Sequence, residues 1–142
     1  VEDMKNWKKQ TGVWIDSSQA IIITLFDGKE NITEIKSGIE NKVYHDDEGH
    51  KGTFSGDRHG FNEQKFNERS KNQLNSFLNN VLSQVKESDE LFIFGPAETK
   101  TKLQDIIYHQ KLIDIHKLKS VQTASKMSPN QILANVKNFY KN

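Results

Sequence analysis

Cysteine is absent from this chain of 142 residues, which excludes disulfides and Cys-ligated zinc. Long apolar runs are missing too. Nothing approaches the roughly 18 residues that a membrane helix needs, and no signal-peptide pattern precedes Thr11. No membrane partner and a cytoplasmic setting are therefore expected. Hydrophobic residues make up 34% of the chain, below the roughly 45–50% of globular domains on a count that includes glycine. A polar loop or a wide wet surface should account for the difference. Net charge is only +1, yet it is uneven. Residues 1–70 carry ten Lys and Arg against thirteen acids, whereas residues 71–142 carry ten against six. A basic second half is the footprint of a surface that meets phosphate, or simply a solvated lysine-rich face.

The length suits one domain, residues 1–142, with a single core. It is organised around Thr11 to Phe26, TGVWIDSSQAIIITLF. Three consecutive isoleucines and a threonine are β-branched and suit a buried pleated surface. The pattern predicts two central strands of a hairpin with Asp16 at its corner. Asp27-Gly28 marks a two-residue turn, and Asn31 to Lys36 predicts a third, edge-like strand. Gly38 to Asn62 holds five glycines and few apolar residues, so a long mobile loop over about 38–62 is expected.

Glu63 to Lys86 predicts the longest helix, with Asn62 as N-cap and an inward stripe at Phe66, Leu74, Phe77, Leu78, Val81, Leu82 and Val85. Leu91 to Phe94 reads as a buried central strand ending at Gly95-Pro96. A helix over Ala97 to His109, a strand over Leu112 to Leu118 and a polar connection from Ser120 to Met127 follow. Ser128-Pro129-Asn130-Gln131 is a helix start: Ser as cap, Pro in the first turn, Gln three residues on. The order β-β-β, loop, α-β-α-β-α predicts an α/β fold, a mixed five-stranded sheet (a meander, then βαβ units) with helices packed on it.

Candidate chemistry is sparse. A meander with an Asp at the end of its first strand resembles the ribonuclease-H-like folds. Asp16 is then either a turn-forming residue or a metal ligand of a phosphodiesterase or nuclease, and the second role needs further carboxylates beside it. His45, Asp46, Asp47, Glu48, His50 and His59 are metal-ligand types, but their spacing matches no ordered zinc or calcium loop. No metal or other cofactor is expected. Gly95 to Lys100 sets a tight turn before a helix, where free N–H groups can hold an anion. It is neither a phosphate loop nor a dinucleotide fingerprint, and no nucleophile elbow or kinase motif is present.

Two stretches carry a family resemblance. Asn62 to Lys102, a helix rich in Asn, Lys and Arg and then DELFIFGPAETKTKL, resembles the middle domain of class-1 eukaryotic and archaeal release factors and of Pelota. It is similar above all to the small bacterial proteins related to that domain. The opening GVWIDSSQAIII resembles the family's first hairpin. The resemblance implies a release-factor middle-domain-like fold and a ribosome- or tRNA/rRNA-directed partner. Release factors of this family carry Gly-Gly-Gln before the long helix. The matching region here, SGDRHGFNEQ, retains Gly60 and Gln64 but no such tripeptide. The resemblance therefore implies a translation-related, ribosome- or RNA-binding factor without peptidyl-tRNA hydrolysis, as in Pelota-like relatives that act in ribosome rescue. Its expected nucleic-acid contacts are Lys51, Arg58, His59, Gln64, Lys65 and Arg69 on or after the loop, with no catalytic residue assigned. The rival readings are the Asp16 metal-dependent phosphodiesterase and a protein-interaction module using an exposed sheet edge. The oligomeric state stays open.

Overall fold

The computed structural model describes residues 8–38, 56–111 and 113–141, and over 56–67 the backbone alone. Strands β1 (Gln10–Ile15), β2 (Gln19–Phe26) and β3 (Lys29–Lys36) form the antiparallel meander. Helix α1 (Gly56–Val85), strand β4 (Glu90–Gly95), helix α2 (Thr99–Gln110), strand β5 (Leu118–Thr123) and helix α3 (Pro129–Lys141) follow. The five strands lie in the order β3-β2-β1-β4-β5, with β4 parallel to both β1 and β5. This is the mixed α/β sheet expected from the sequence.

The register explains why β1 is apolar at consecutive positions. Val13 pairs with Ile22 and Ile93, and Trp14 pairs with Ile21 and Phe94. Val13, Ile15, Ile22 and Ile93 pack against Leu78, Val81 and Leu82 of α1 and Leu103 and Ile107 of α2. Trp14, Ile21, Ile23, Phe92 and Phe94 pack on the opposite side against Ile132 and Val136 of α3. A strand covered on both faces has no polar side to show. Gly12 brings α3 close: a Cβ there would stand 2.3 Å from a Val136 methyl carbon.

Local signals act as read at the β2–β3 turn and at the last helix. Asp27 and Gly28 have φ of 55° and 77°, the left-handed pair that a tight hairpin requires. At α3 the Ser128 N–H donates to Gln131 Oε1 at 2.9 Å, and the Gln131 N–H donates to Ser128 Oγ at 3.2 Å. That is a reciprocal capping box.

Two expectations are corrected. The long helix begins at Gly56, not near Glu63, so residues 56–62 are helix rather than loop. A glycine costs a helix about 1 kcal/mol but does not stop one already nucleated. The last strand is Leu118–Thr123, not Leu112 to Leu118, and takes four residues from the expected polar connection. Asp114 accepts from the His116 N–H at 3.0 Å and sets a short 3-10 turn over Ile115–Lys117. β5 then gains its backbone partners along β4, and only Leu118 and Val121 of its side chains reach the core. The other expected boundaries shift by one or two residues. Residues 39–55 of the expected loop, and Leu112, lie outside the described residues.

Candidate nucleic-acid interface

Ligands in open α/β sheets gather at the carboxyl ends of the parallel strands. Here that end carries the Asp16 corner after β1 and the Gly95-Pro96-Ala97 turn after β4. Asp16 Oδ1 accepts from the N–H groups of Ser18 (2.8 Å) and Gln19 (2.9 Å). These bonds close the corner between β1 and β2, so Asp16 has a turn-forming role. Among the described residues no group of three or more His, Cys, Asp and Glu is placed to hold a metal ion.

The Gly95 turn is closely packed. Gly95 has φ of 151°, and a Cβ there would stand 2.2 Å from the Ile15 carbonyl oxygen. Ala97 follows in the left-handed region at φ 54°. Lys100 is buried and turns its ammonium back onto the Ala97 carbonyl. This side chain holds the turn together and does not reach outward.

A groove of about 330 Å³ opens between the end of β3 and α1. Lys36 and Ser37 form one side; Arg69, Asn72, Gln73, Ser76, Phe77 and Asn80 of α1 form the other. Their spacing puts these α1 residues on one helix face. Lys36 is shared: its ammonium lies 3.1 Å from Glu34 and donates to Gln19 Oε1 at 3.0 Å. Arg69 is exposed. A cationic fork, three amides and a hydroxyl beside a second cation can donate to phosphate and sugar oxygens.

The sequence-predicted residues divide. Arg69 lines the groove. Arg58, His59, Gln64 and Lys65 lie on the α1 backbone, not on a loop tip. Helical spacing puts Arg58 and Lys65, eleven and four positions before Arg69, on the Arg69 stripe, and puts His59 and Gln64 off it. Lys51 lies outside the described residues. Lys36, Asn72, Gln73 and Ser76 were not anticipated. The polar period of α1 carried a signal for the three helical residues. Nothing local marked Lys36, which reaches the groove only because the sheet brings it there.

At the other end of the sheet, the Tyr140 hydroxyl donates to the Thr11 carbonyl at 2.7 Å. Burial, and then the nearby Glu90 carboxylate, hold its phenol proton well above the ordinary range.

No family model and no curated protein matches the chain. Among solved structures it is similar to an archaeal translation termination factor. The identity is 16% and the TM-score 0.44, over 99% of this chain and 41% of that one. The chain thus spans less than half the length of that protein. A likeness of this size carries no functional weight.

Proposed function

We propose that this chain is a translation-related factor that binds the ribosome or its RNA through one face of α1, without a hydrolytic centre of its own. The observation that carries the reading is the groove at the carboxyl end of the sheet, where Arg69 and Lys36 meet a row of amide and hydroxyl groups. The length of α1 supports it. Thirty residues make about 45 Å of helix, whereas the eight-residue strands span about 27 Å. The basic stripe of Arg58, Lys65 and Arg69 therefore has more helix to occupy than the sheet can cover. The lack of Gly-Gly-Gln and the use of Asp16 within its own turn weigh against chemistry at this end.

Co-sedimentation with ribosomes at low and raised salt tests the reading. Binding should weaken with salt, and both Lys36→Ala/Arg69→Ala and Arg58→Ala/Lys65→Ala should lower affinity and flatten the salt dependence. Absence of binding at low salt overturns it and leaves the resemblance as shared fold alone.

A second reading has one observation behind it. β3 is an edge strand, and its Ile32 is 48% exposed. Such an edge can pair with a strand of another protein. Co-sedimentation unaffected by either variant pair would favour it.

A further inference from the structure

A second cleft lies at the end of the sheet opposite the Arg69 groove. It has a volume of about 550 Å³ and is formed by Lys8 and Gln10 before and within β1, the β2–β3 turn and the last turns of α3. That volume falls within the usual range for a small-molecule site.

Its lining combines two chemistries. Leu25, Phe26 and the ring of Tyr140 supply an apolar wall. Phe26 keeps 40% of its surface exposed. The Tyr140 ring is fixed by its hydroxyl on the Thr11 carbonyl and by an edge contact with Phe139 at 5.0 Å. Around that wall stand Lys8, Lys29, Lys137 and Lys141, against Asp27 and Glu30. Lys137 and Glu30 engage each other at 2.6 Å and tie α3 to β3. This bridge braces one side of the cleft. Lys29 and Lys141, on opposite banks, are both exposed.

We infer that this cleft binds a nucleotide, with the base against the Leu25–Phe26–Tyr140 wall and the phosphate between Lys29 and Lys141. A neutral apolar ligand would leave the cationic rim unused, and a bare anion would leave the wall unused. Aromatic faces and cations together are the usual means of holding an unstacked nucleotide. The cleft is independent of the Arg69 groove. The same chemistry comes from a free mononucleotide or from one residue of a single RNA strand.

The test is amide NMR titration of the whole protein with adenosine monophosphate, adenosine, inorganic phosphate and a tetra-adenylate. Saturable shifts at residues 25–29 and 140–141 are expected with the monophosphate or the tetranucleotide. Adenosine and phosphate alone should bind at least several-fold more weakly. A free nucleotide is the ligand if the monophosphate and the tetranucleotide bind alike, and an RNA strand if the tetranucleotide binds at least about tenfold tighter. Lys29→Gln/Lys141→Gln should weaken binding about fivefold or more, since each exposed ion pair adds a modest increment, and Phe26→Ala should weaken it without changing its salt dependence. Both variants must first give a native amide spectrum. The inference is overturned if millimolar nucleotide and oligonucleotide leave these amides unmoved, if adenosine binds as well as its phosphate, or if the double lysine variant binds like wild type. Shifts confined to residues 69–80 would also overturn it, and would speak only for the Arg69 groove.

Discussion

Replacing Gly12 with alanine should destabilise the fold through one contact. The new Cβ would stand 2.3 Å and 2.8 Å from the two methyl carbons of Val136, well inside van der Waals contact. Val136 is fully buried and sits in a helix, where valine keeps essentially one rotamer. It cannot swing aside, so α3 must shift off the sheet. Overpacking of this kind costs about 1–3 kcal/mol. Removing a glycine from the unfolded chain returns about 0.4–1 kcal/mol. The net expectation is a loss of about 1–2 kcal/mol. With a urea slope of about 1–3 kcal/mol per molar, the midpoint should fall by roughly 0.5–1 M at unchanged slope. Val136→Ala alone should cost about 2–3 kcal/mol, from two buried methyls and the cavity they leave. In the double variant the new methyl enters that cavity, so the two losses should fall short of adding by about 1 kcal/mol or more. Urea unfolding of the four proteins measures this. A Gly12→Ala variant as stable as wild type, or strictly additive losses, would refute the assignment of Gly12 as the residue that lets α3 approach β1.

Two further outcomes follow from local contacts. Ser128→Ala removes half of the reciprocal cap on α3 and should cost about 0.5–2 kcal/mol, read as a lower thermal midpoint; Ser128→Asp, which keeps an acceptor, should recover most of it. Tyr140 gives a pH signature with a definite sign. Its folded phenol holds a proton above the ordinary value of 10.0, so above about pH 10 the unfolded chain binds fewer protons and stability falls as pH rises. The contribution is fully present below that pH. Tyr140→Phe should therefore lose about 1 kcal/mol at neutral pH with its hydrogen bond, and that deficit should narrow between about pH 10 and 11. A deficit independent of pH would show that the phenol does not titrate differently on folding.

Much of the fold was legible because its central strands are covered on both sides. GVWI, AIII and LFIF are contiguous apolar runs, and a two-sided buried strand has to look like that. Asp16, Asp27-Gly28 and the Ser128–Gln131 pair acted as local signals because their partners lie within three residues. β5 was misplaced for the opposite reason. An edge strand with two core side chains has no hydrophobic period to read, and its backbone is recruited by β4, nearly thirty residues earlier. The start of α1 was misplaced because glycine-rich composition argues for a loop, whereas the cost of two glycines is small beside thirty residues of helix.

The candidate site divides in the same way. Arg69 and Lys65 were legible as cations on a helix, whereas Arg58 falls in the expected loop and joins their stripe only because α1 begins at Gly56. The groove was not, because Lys36 and Ser37 meet α1 only through the pairing of β3 on β2 and the packing of α1 across the sheet. The amino-end cleft is more distant still from any sequence pattern, since it joins the β2–β3 turn to the end of α3 across more than a hundred residues. By itself the chain determined which segments are buried and where its tight turns fall, because burial and turn chemistry act on neighbours. Only tertiary structure decided which cations share a groove, because that depends on strand order and helix placement, and these minimise exposed apolar surface over the whole molecule at once.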